Sequence, residues 1–378
     1  MQSNKIAIAI NSSWNIYNFR SGLVRALIQA GYDVLAIAPA DAHSSRLAEL
    51  GCQFVSVEMS ARGTSPAEDA RLFLNYCRIL GHHQPTVFLG YTIKPNVYGS
   101  LAAHSLGIPV INNIAGLGVT FLKQGLFQKF IRFLYRMALS RSRTVFFQNP
   151  DDLGLFLNAG LVRPEQTELL PGSGVDLARF LPSVGRRESE DPFVFLLVSR
   201  LLRSKGIEDY VAAAEAVRRQ LPTATFQIAG IMESGHKEAI TEDEMWRWSA
   251  SGTISYLGAL DDVRPAIAEA DAVVLPTFYP EGTPRALLEA ASMAKPLITT
   301  NVPGCREVVD DGVNGFLVEP LDPEALASAM LRMTRMPEED LRAMGVASRR
   351  KAEAEFDERI VISRYLQAIE KALAARAA

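Results

Sequence analysis

Phe193-Val-Phe-Leu-Leu-Val198 is apolar at every position. A strand with one wet face alternates apolar and polar residues, whereas an unbroken run is buried on both faces, the habit of parallel sheets covered by helices. Ala272-Val-Val-Leu275 repeats the pattern and stops at Pro276. The N-terminus reads the same way. Lys5 to Ile10 is a strand, Phe19 to Ile28 has helical spacing closed by Gly31, and Asp33 to Ala38 is a strand ended by Pro39. This is the β-α-β opening of a Rossmann-like domain. At 378 residues the chain exceeds one typical core. The expected fold is α/β, with two Rossmann-like domains.

Further strands are read at Gln53–Val57, Thr86–Leu89, Ile108–Asn113, Val145–Asn149, Gln166–Leu170, Thr225–Ala229, Thr253–Leu257, Pro296–Thr300 and Phe316–Val318. Helices are read at Ala67–Leu80, Val263–Ala270, Pro323–Met333, Glu338–Ala354 and Phe356–Ala374. Residues 182–192 are polar with two prolines, which is a linker signal. The first domain is therefore placed at 1–181 and the second at 182–359. The polar stretch 233–247 gives no reading.

In open α/β sheets ligands bind outside the carboxyl ends of the strands. Three loops of the first half fall there. One is Asn11, Ser12, Ser13, Trp14 and Asn15; the next carries Lys94 and Asn96; the third carries Gly116 and Gly118. They are assigned to a cleft that receives an acceptor. Lys94 would bind a phosphate there or remain a solvated loop lysine. No G-x-G-x-x-G occurs, which disfavours a NAD-type dinucleotide site.

The second half offers two chemical clusters. Ser199-Arg200-Leu-Leu-Arg203-Ser-Lys205-Gly206 places three cations after a buried strand, a suitable clamp for a diphosphate. Pro276-Thr-Phe-Tyr-Pro-Glu281-Gly282-Thr283-Pro284 precedes a helix whose N-terminal amides favour an anion. Glu281 sits on that loop and Glu289 about two turns on, so the pair can grip hydroxyls on either side of a phosphate.

Pro-Glu-Gly-Thr-Pro with Glu289, Thr299-Thr-Asn-Val-Pro-Gly-Cys-Arg-Glu307 and Asp310-Asp-Gly-Val-Asn-Gly-Phe-Leu-Val318 together resemble the retaining nucleotide-sugar glycosyltransferases of family 4. The loop Tyr91-Thr-Ile-Lys-Pro-Asn96 and Gly116-Leu-Gly118 resemble its bacterial subgroup that builds surface polysaccharides and lipid-linked oligosaccharides. The resemblance implies the GT-B architecture, two Rossmann-like domains facing across a cleft, with the last helix (about 360–378) returning to the first domain. It implies that Arg200 and Lys205, five residues apart, hold the donor diphosphate. Glu281 would contact the donor sugar and Glu289 the ribose, with Gly282, Thr283, Pro284 and Arg203 beside them. Gly230, Leu257 and Gly258 would lie near the base. It implies a hexose or N-acetylhexosamine moved with retention from a UDP-linked donor to an undecaprenyl-diphosphate-linked sugar. The departing phosphate would help deprotonate the acceptor. The family's histidine near the first of these loops is missing here, where Lys94 stands instead.

No cofactor is expected, and no Asp-x-Asp pair stands near a suitable strand end, so no metal is expected either. Two rivals stay open: a UDP-sugar 2-epimerase of the same architecture, and a catalytically silent partner subunit. Against the second, Glu281, Arg200 and Lys205 are all present.

Charge is uneven. Residues 1–181 hold 16 Lys and Arg against 11 Asp and Glu, and no acid occurs between Asp69 and Asp151, although the whole chain is −3. Within 122–143, Lys123, Lys129, Arg132, Arg136, Arg141 and Arg143 interleave with an apolar face assigned to Phe130, Phe133, Leu134 and Met137. A basic amphipathic helix can lie in an anionic membrane interface, or can be a domain helix with a wet basic face. The expected partners are the nucleotide sugar, the lipid-linked acceptor and an anionic membrane surface, with no nucleic acid. Three cysteines without a pairing pattern, no signal peptide and no spanning run point to a cytoplasmic protein, peripheral on the inner face of the cytoplasmic membrane.

Overall fold

The computed structural model describes residues 4–60, 65–116, 126–182, 191–233 and 235–377. The chain forms two compact units, Met1–Ser173 with Glu358–Ala378, and Gly174–Asp357.

The first unit carries strands β1 (Lys5–Ala9), β2 (Asp33–Ala38), β3 (Gln53–Ser56), β4 (Val87–Tyr91), β5 (Val110–Ile114), β6 (Thr144–Phe147) and β7 (Thr167–Leu169). They form one sheet in the order β3-β2-β1-β4-β5-β6-β7, every pairing parallel. Successive residues of β1 feed opposite layers. Ile6 and Ile8 pack with Val24, Leu27 and the C-terminal helix residues Tyr365 and Ile369, while Ala7 and Ala9 pack with Leu72, Tyr76 and Leu80. Burial on both faces is why the strand can be apolar throughout.

The second unit carries β8 (Val194–Val198), β9 (Thr225–Ala229), β10 (Ser255–Tyr256), β11 (Ala272–Leu275), β12 (Leu297–Thr300) and β13 (Gly315–Val318), in the order β10-β9-β8-β11-β12-β13, again all parallel. Phe195 and Leu197 enter one core layer and Leu196 the other. Each unit is thus a doubly wound α/β layer structure. Each has one topological switch point, at β1/β4 and at β8/β11, where a crevice opens at the carboxyl ends.

Three expectations are revised, and the unread stretch 233–247 gains an element. Ser13, Trp14 and Asn15 are not loop residues; they open a helix, Ser13–Phe19, that ends one residue before a second helix, Ser21–Gln29. The first helix has no side-chain cap from Ser12, and its Trp14 amide donates instead to Asp41 Oδ2 at 3.0 Å, from 27 residues away. Next, the segment 174–181 belongs to the second unit, not the first. Val175 and Phe180 are buried in its core, and the Phe180 carbonyl accepts from Ser292 Oγ at 2.7 Å. Within 233–247 a helix begins, Glu242–Ala250, set by a capping box between Thr241 and Glu244. Pro284 precedes the helix Arg285–Ser292 as its N-cap, so Glu289 lies little more than one turn in, rather than two.

Candidate active site

The donor-side residues gather at the carboxyl ends of β8 and β11. After β8 the chain makes a short 3₁₀ turn, Arg203–Lys205, and reaches Gly206 at φ +72° before the helix Ile207–Arg218. A Cβ on Gly206 would collide with the Pro276 carbonyl, so only glycine lets this turn rest against the end of β11. Two hydrogen bonds hold the same junction. Phe278 N donates to the Ser204 carbonyl at 3.2 Å, and buried Thr277 Oγ1 donates to it at 2.9 Å.

This junction brings Lys205 onto Glu281. Lys205 Nζ donates to Glu281 Oε1, and Thr277 Oγ1 lies 3.2 Å from the same oxygen. Both side chains are mostly buried. Arg200 points outward from the end of β8, largely exposed, with Glu233 3.6 Å away. Arg203 turns elsewhere. It binds Glu208 and, at 2.6 Å, Glu244, pinning the capping-box helix to the 3₁₀ turn. Its guanidinium is thus held by two carboxylates, neither of them Glu281 or Glu289.

Glu289 lies in the helix Arg285–Ser292 and is only 8% exposed. Arg285 Nε and Nη2 donate to its Oε1 at 3.2 and 3.0 Å. Burial pushes the Glu289 carboxyl above the usual carboxylate range, and Arg285 opposes that shift. Glu281 N donates to the Pro303 carbonyl at 3.0 Å. Gly304, at φ +87°, lies so close to the Gly282 carbonyl that any Cβ would collide with it. The loop Glu281–Pro284 is therefore seated on the turn after β12, with Thr283 buried.

Gly230 and Gly258 meet beside Arg200. Gly230 N donates to the Gly258 carbonyl at 2.9 Å, and a Cβ on Gly230 would strike the Ser199 carbonyl. Leu257 N donates to the Ile228 carbonyl at 2.8 Å. The second unit thus brings Arg200, Lys205, Gly230, Leu257, Gly258, Glu281, Gly282, Thr283, Pro284 and Glu289 to one edge of one sheet.

In the first unit the switch-point residues lie at the ends of β1 and β4. Asn11 and Ser12 follow β1, half-buried. Ser13 is buried, its Oγ donating to the Pro39 carbonyl at 2.9 Å. Trp14 is exposed and meets Phe19 edge-on, while Asn15 Oδ1 is buried with no hydrogen-bond partner among the described residues. Lys94 is not a solvated lysine. Its Nζ lies 2.8 Å from Asp69 Oδ1, and Tyr98 donates to the other oxygen of that carboxylate. Asn96 is not on an open loop either. It is buried in a π-helical turn, donates to the Asn113 carbonyl at 2.8 Å and accepts from Asn112 at 2.9 Å. Both ends of its amide are thus engaged with β5. Gly116, at φ +100°, follows β5. Gly118 lies outside the described residues.

Two known family models match the chain. Residues 192–335 match the one described as glycosyl transferases group 1, and residues 5–149 match the one described as glycosyl transferase 4-like. A relative matching almost end to end is the N,N'-diacetylbacillosaminyl-diphospho-undecaprenol alpha-1,3-N-acetylgalactosaminyltransferase of Campylobacter jejuni, 24% identical over 98% of this chain and 99% of that protein. The chain is a GT-B glycosyltransferase resembling family 4. The UDP-Gal:alpha-D-GlcNAc-diphosphoundecaprenol alpha-1,3-galactosyltransferase of Escherichia coli is also 24% identical, over 72% of each chain. The fold is shared with Anabaena HepE, whose structure was solved with UDP-glucose. The two superpose with a TM-score of 0.76 at 20% identity, covering 98% of this glycosyltransferase and 99% of HepE. Among the described residues no helix of the glycosyltransferase is long and apolar enough to cross a membrane.

Sequence reading missed three residues that shape the two switch points, two in the second unit and one in the first. Thr277 and Arg285 orient the two glutamates, and Asp41 caps the helix at the first switch point. Only Arg285 left a trace, four residues before Glu289 on a helix.

Proposed function

We propose that the protein moves a hexose or N-acetylhexosamine from a UDP-linked donor to an undecaprenyl-diphosphate-linked sugar, with retention of configuration and without a metal ion. The observation that carries this reading is the meeting of Lys205 with Glu281 at the β8/β11 switch point, with Arg200 on the loop that follows β8. A cation and a carboxylate in contact mark where a phosphate and a sugar hydroxyl would each find a partner. A diphosphate arriving at Lys205 competes with Glu281 for its ammonium and frees that carboxylate for the hexose. Arg200 adds a forked donor for a second phosphate. Glu289, held by Arg285, is set to accept from ribose hydroxyls.

In the reaction the glycosidic C–O bond to the diphosphate breaks and its electron pair leaves with the phosphate oxygen. Arg200 and Lys205 are placed to stabilise that growing negative charge, the usual seat of the largest catalytic contribution. The acceptor hydroxyl attacks the same face, and its proton passes to the departing phosphate. No nucleophile is required, so the two glutamates bind rather than react. The relatives from C. jejuni and E. coli carry undecaprenyl-linked acceptors in their names, and HepE was crystallised with UDP-glucose, which supports the choice of both substrates.

The test is a thermal-shift panel of UDP-, GDP- and ADP-sugars with EDTA present. Donor at 100 times its dissociation constant should stabilise the protein by about 2.7 kcal/mol. Stabilisation by UDP-sugars alone is expected. A response that appears only after a divalent metal is restored would overturn metal independence, and a GDP- or ADP-specific response would overturn the donor.

A further inference from the structure

The helix Leu126–Leu139 has two apolar faces, and among the described residues one of them packs into a core. Ile131, Leu134, Tyr135, Ala138 and Leu139 pack inward against Val97, Val145, Phe147 and Phe156. Leu134, assigned from the sequence to the outward stripe, therefore belongs to the core. Phe130, Phe133 and Met137 point the other way and are 54%, 56% and 44% exposed. At about 100° per residue these three span only about 60° of the helix circumference, so they form one stripe. Lys129 and Arg136 occupy the next sector on one side, with Arg132 beyond them. Lys129 and Arg136 are exposed, as are Arg141 and Arg143 just past the helix.

We propose that this stripe is a membrane-docking face, seated in the interface of a bilayer rich in anionic lipid. Charge decides between occupants. Every charged residue from 70 to 150 is basic, so nothing on this stretch of chain repels an anionic surface. A second copy of the same face would set like charges against each other. Two phenylalanines and a methionine inserted at headgroup depth, with lysine and arginine at the phosphates, are the composition that interfacial helices use. Each basic residue near such a surface raises partition by about fivefold. The proposal does not depend on the donor assignment and can fail or stand without it.

The full chain would be floated with phosphatidylcholine vesicles, with and without phosphatidylglycerol. Capture by the phosphatidylglycerol vesicles is expected, with at least about tenfold less by phosphatidylcholine alone. Phe130→Ser with Phe133→Ser, and separately Lys129→Gln with Arg136→Gln, should each lower capture by about tenfold or more. Both double variants should keep the wild-type melting temperature, since none of the four side chains belongs to a core cluster. Equal capture by both lipids, or undiminished capture of the variants, would overturn the proposal. So would a concentration-dependent dimer that the phenylalanine variants abolish, which would assign the stripe to a second copy.

Discussion

Arg285 lies one helical turn before Glu289 and holds its carboxylate with two guanidinium nitrogens, while the third donates to the Gly174 carbonyl. One side chain therefore ties the first residue of the second unit to a carboxylate at its ligand-binding edge. It also opposes the upward shift that burial gives the Glu289 carboxyl.

Replacing Arg285 by Met should make donor binding depend on pH. A carboxyl whose folded pKa is raised gives stability that is complete below its unfolded pKa and lost as pH rises through the folded one. Removing Arg285 raises the Glu289 value further and widens the range in which the group stays protonated. The ratio of variant to wild-type donor KM should be greatest at acid pH and should narrow as pH rises. A ratio independent of pH would show that Arg285 acts only on the fold.

Lys205→Met should reduce kcat/KM for the donor by about 10- to 150-fold, the worth of one charge-assisted hydrogen bond of about 1.5–3 kcal/mol. On the function proposed above, in which this carboxylate meets the sugar, Glu281→Gln should lower kcat more than it weakens nucleotide binding. In stability the two are coupled. Either substitution leaves a mostly buried charge without its partner, so the double variant should melt above the Lys205→Met protein. Melting curves of the four proteins make the cycle.

Gly304→Ala tests the seat of the donor loop. The backbone there is in the left-handed region and its Cβ position collides with the Gly282 carbonyl. Such strain costs of order 1–3 kcal/mol, and the softest response is displacement of Glu281 and Gly282. A fall of at least about tenfold in kcat/KM is expected with the second unit still folded, measured by activity beside circular dichroism.

Thr241→Ala removes the cap of the helix Glu242–Ala250 and should cost about 1 kcal/mol. Its partner Glu244 is held down to about 2 by the Thr241 backbone amide, Arg203 and the Thr241 hydroxyl. A depressed carboxyl stabilises above its unfolded pKa of about 4.5, and that contribution fades as pH falls toward 2. The difference in melting temperature between Glu244→Gln and wild type should therefore shrink over that acid window.

The gathering of the residues assigned to the donor could be read in the chain because they stand in contiguous words. Arg200 to Gly206 and Pro276 to Glu289 each follow a continuous apolar strand, and each strand delivers its loop to the same end of the sheet. What could not be read were pairings across sequence. Lys205 and Glu281 are 76 residues apart, and nothing local assigns one to the other. The pairing of Arg203 could not be read because Glu244 comes 41 residues later, inside a polar stretch without apolar period. The burial of Asn96 could not be read because its partners on β5 lie 16 and 17 residues on. The helix at Ser13 was hidden for the same reason, its cap arriving from Asp41 after a whole strand.

The chain leaves the first unit after Ser173 and re-enters it at Glu358. The ends of the intervening stretch adjoin, Val175 N donating to the Phe356 carbonyl at 2.8 Å and bridging in parallel to Asp357. The second unit is thus an insertion with its two ends stapled together, not a tail appended to the first. A whole second unit can therefore be exchanged through two cuts at adjoining points of the chain, while the first unit, closing helix included, keeps both of its own pieces.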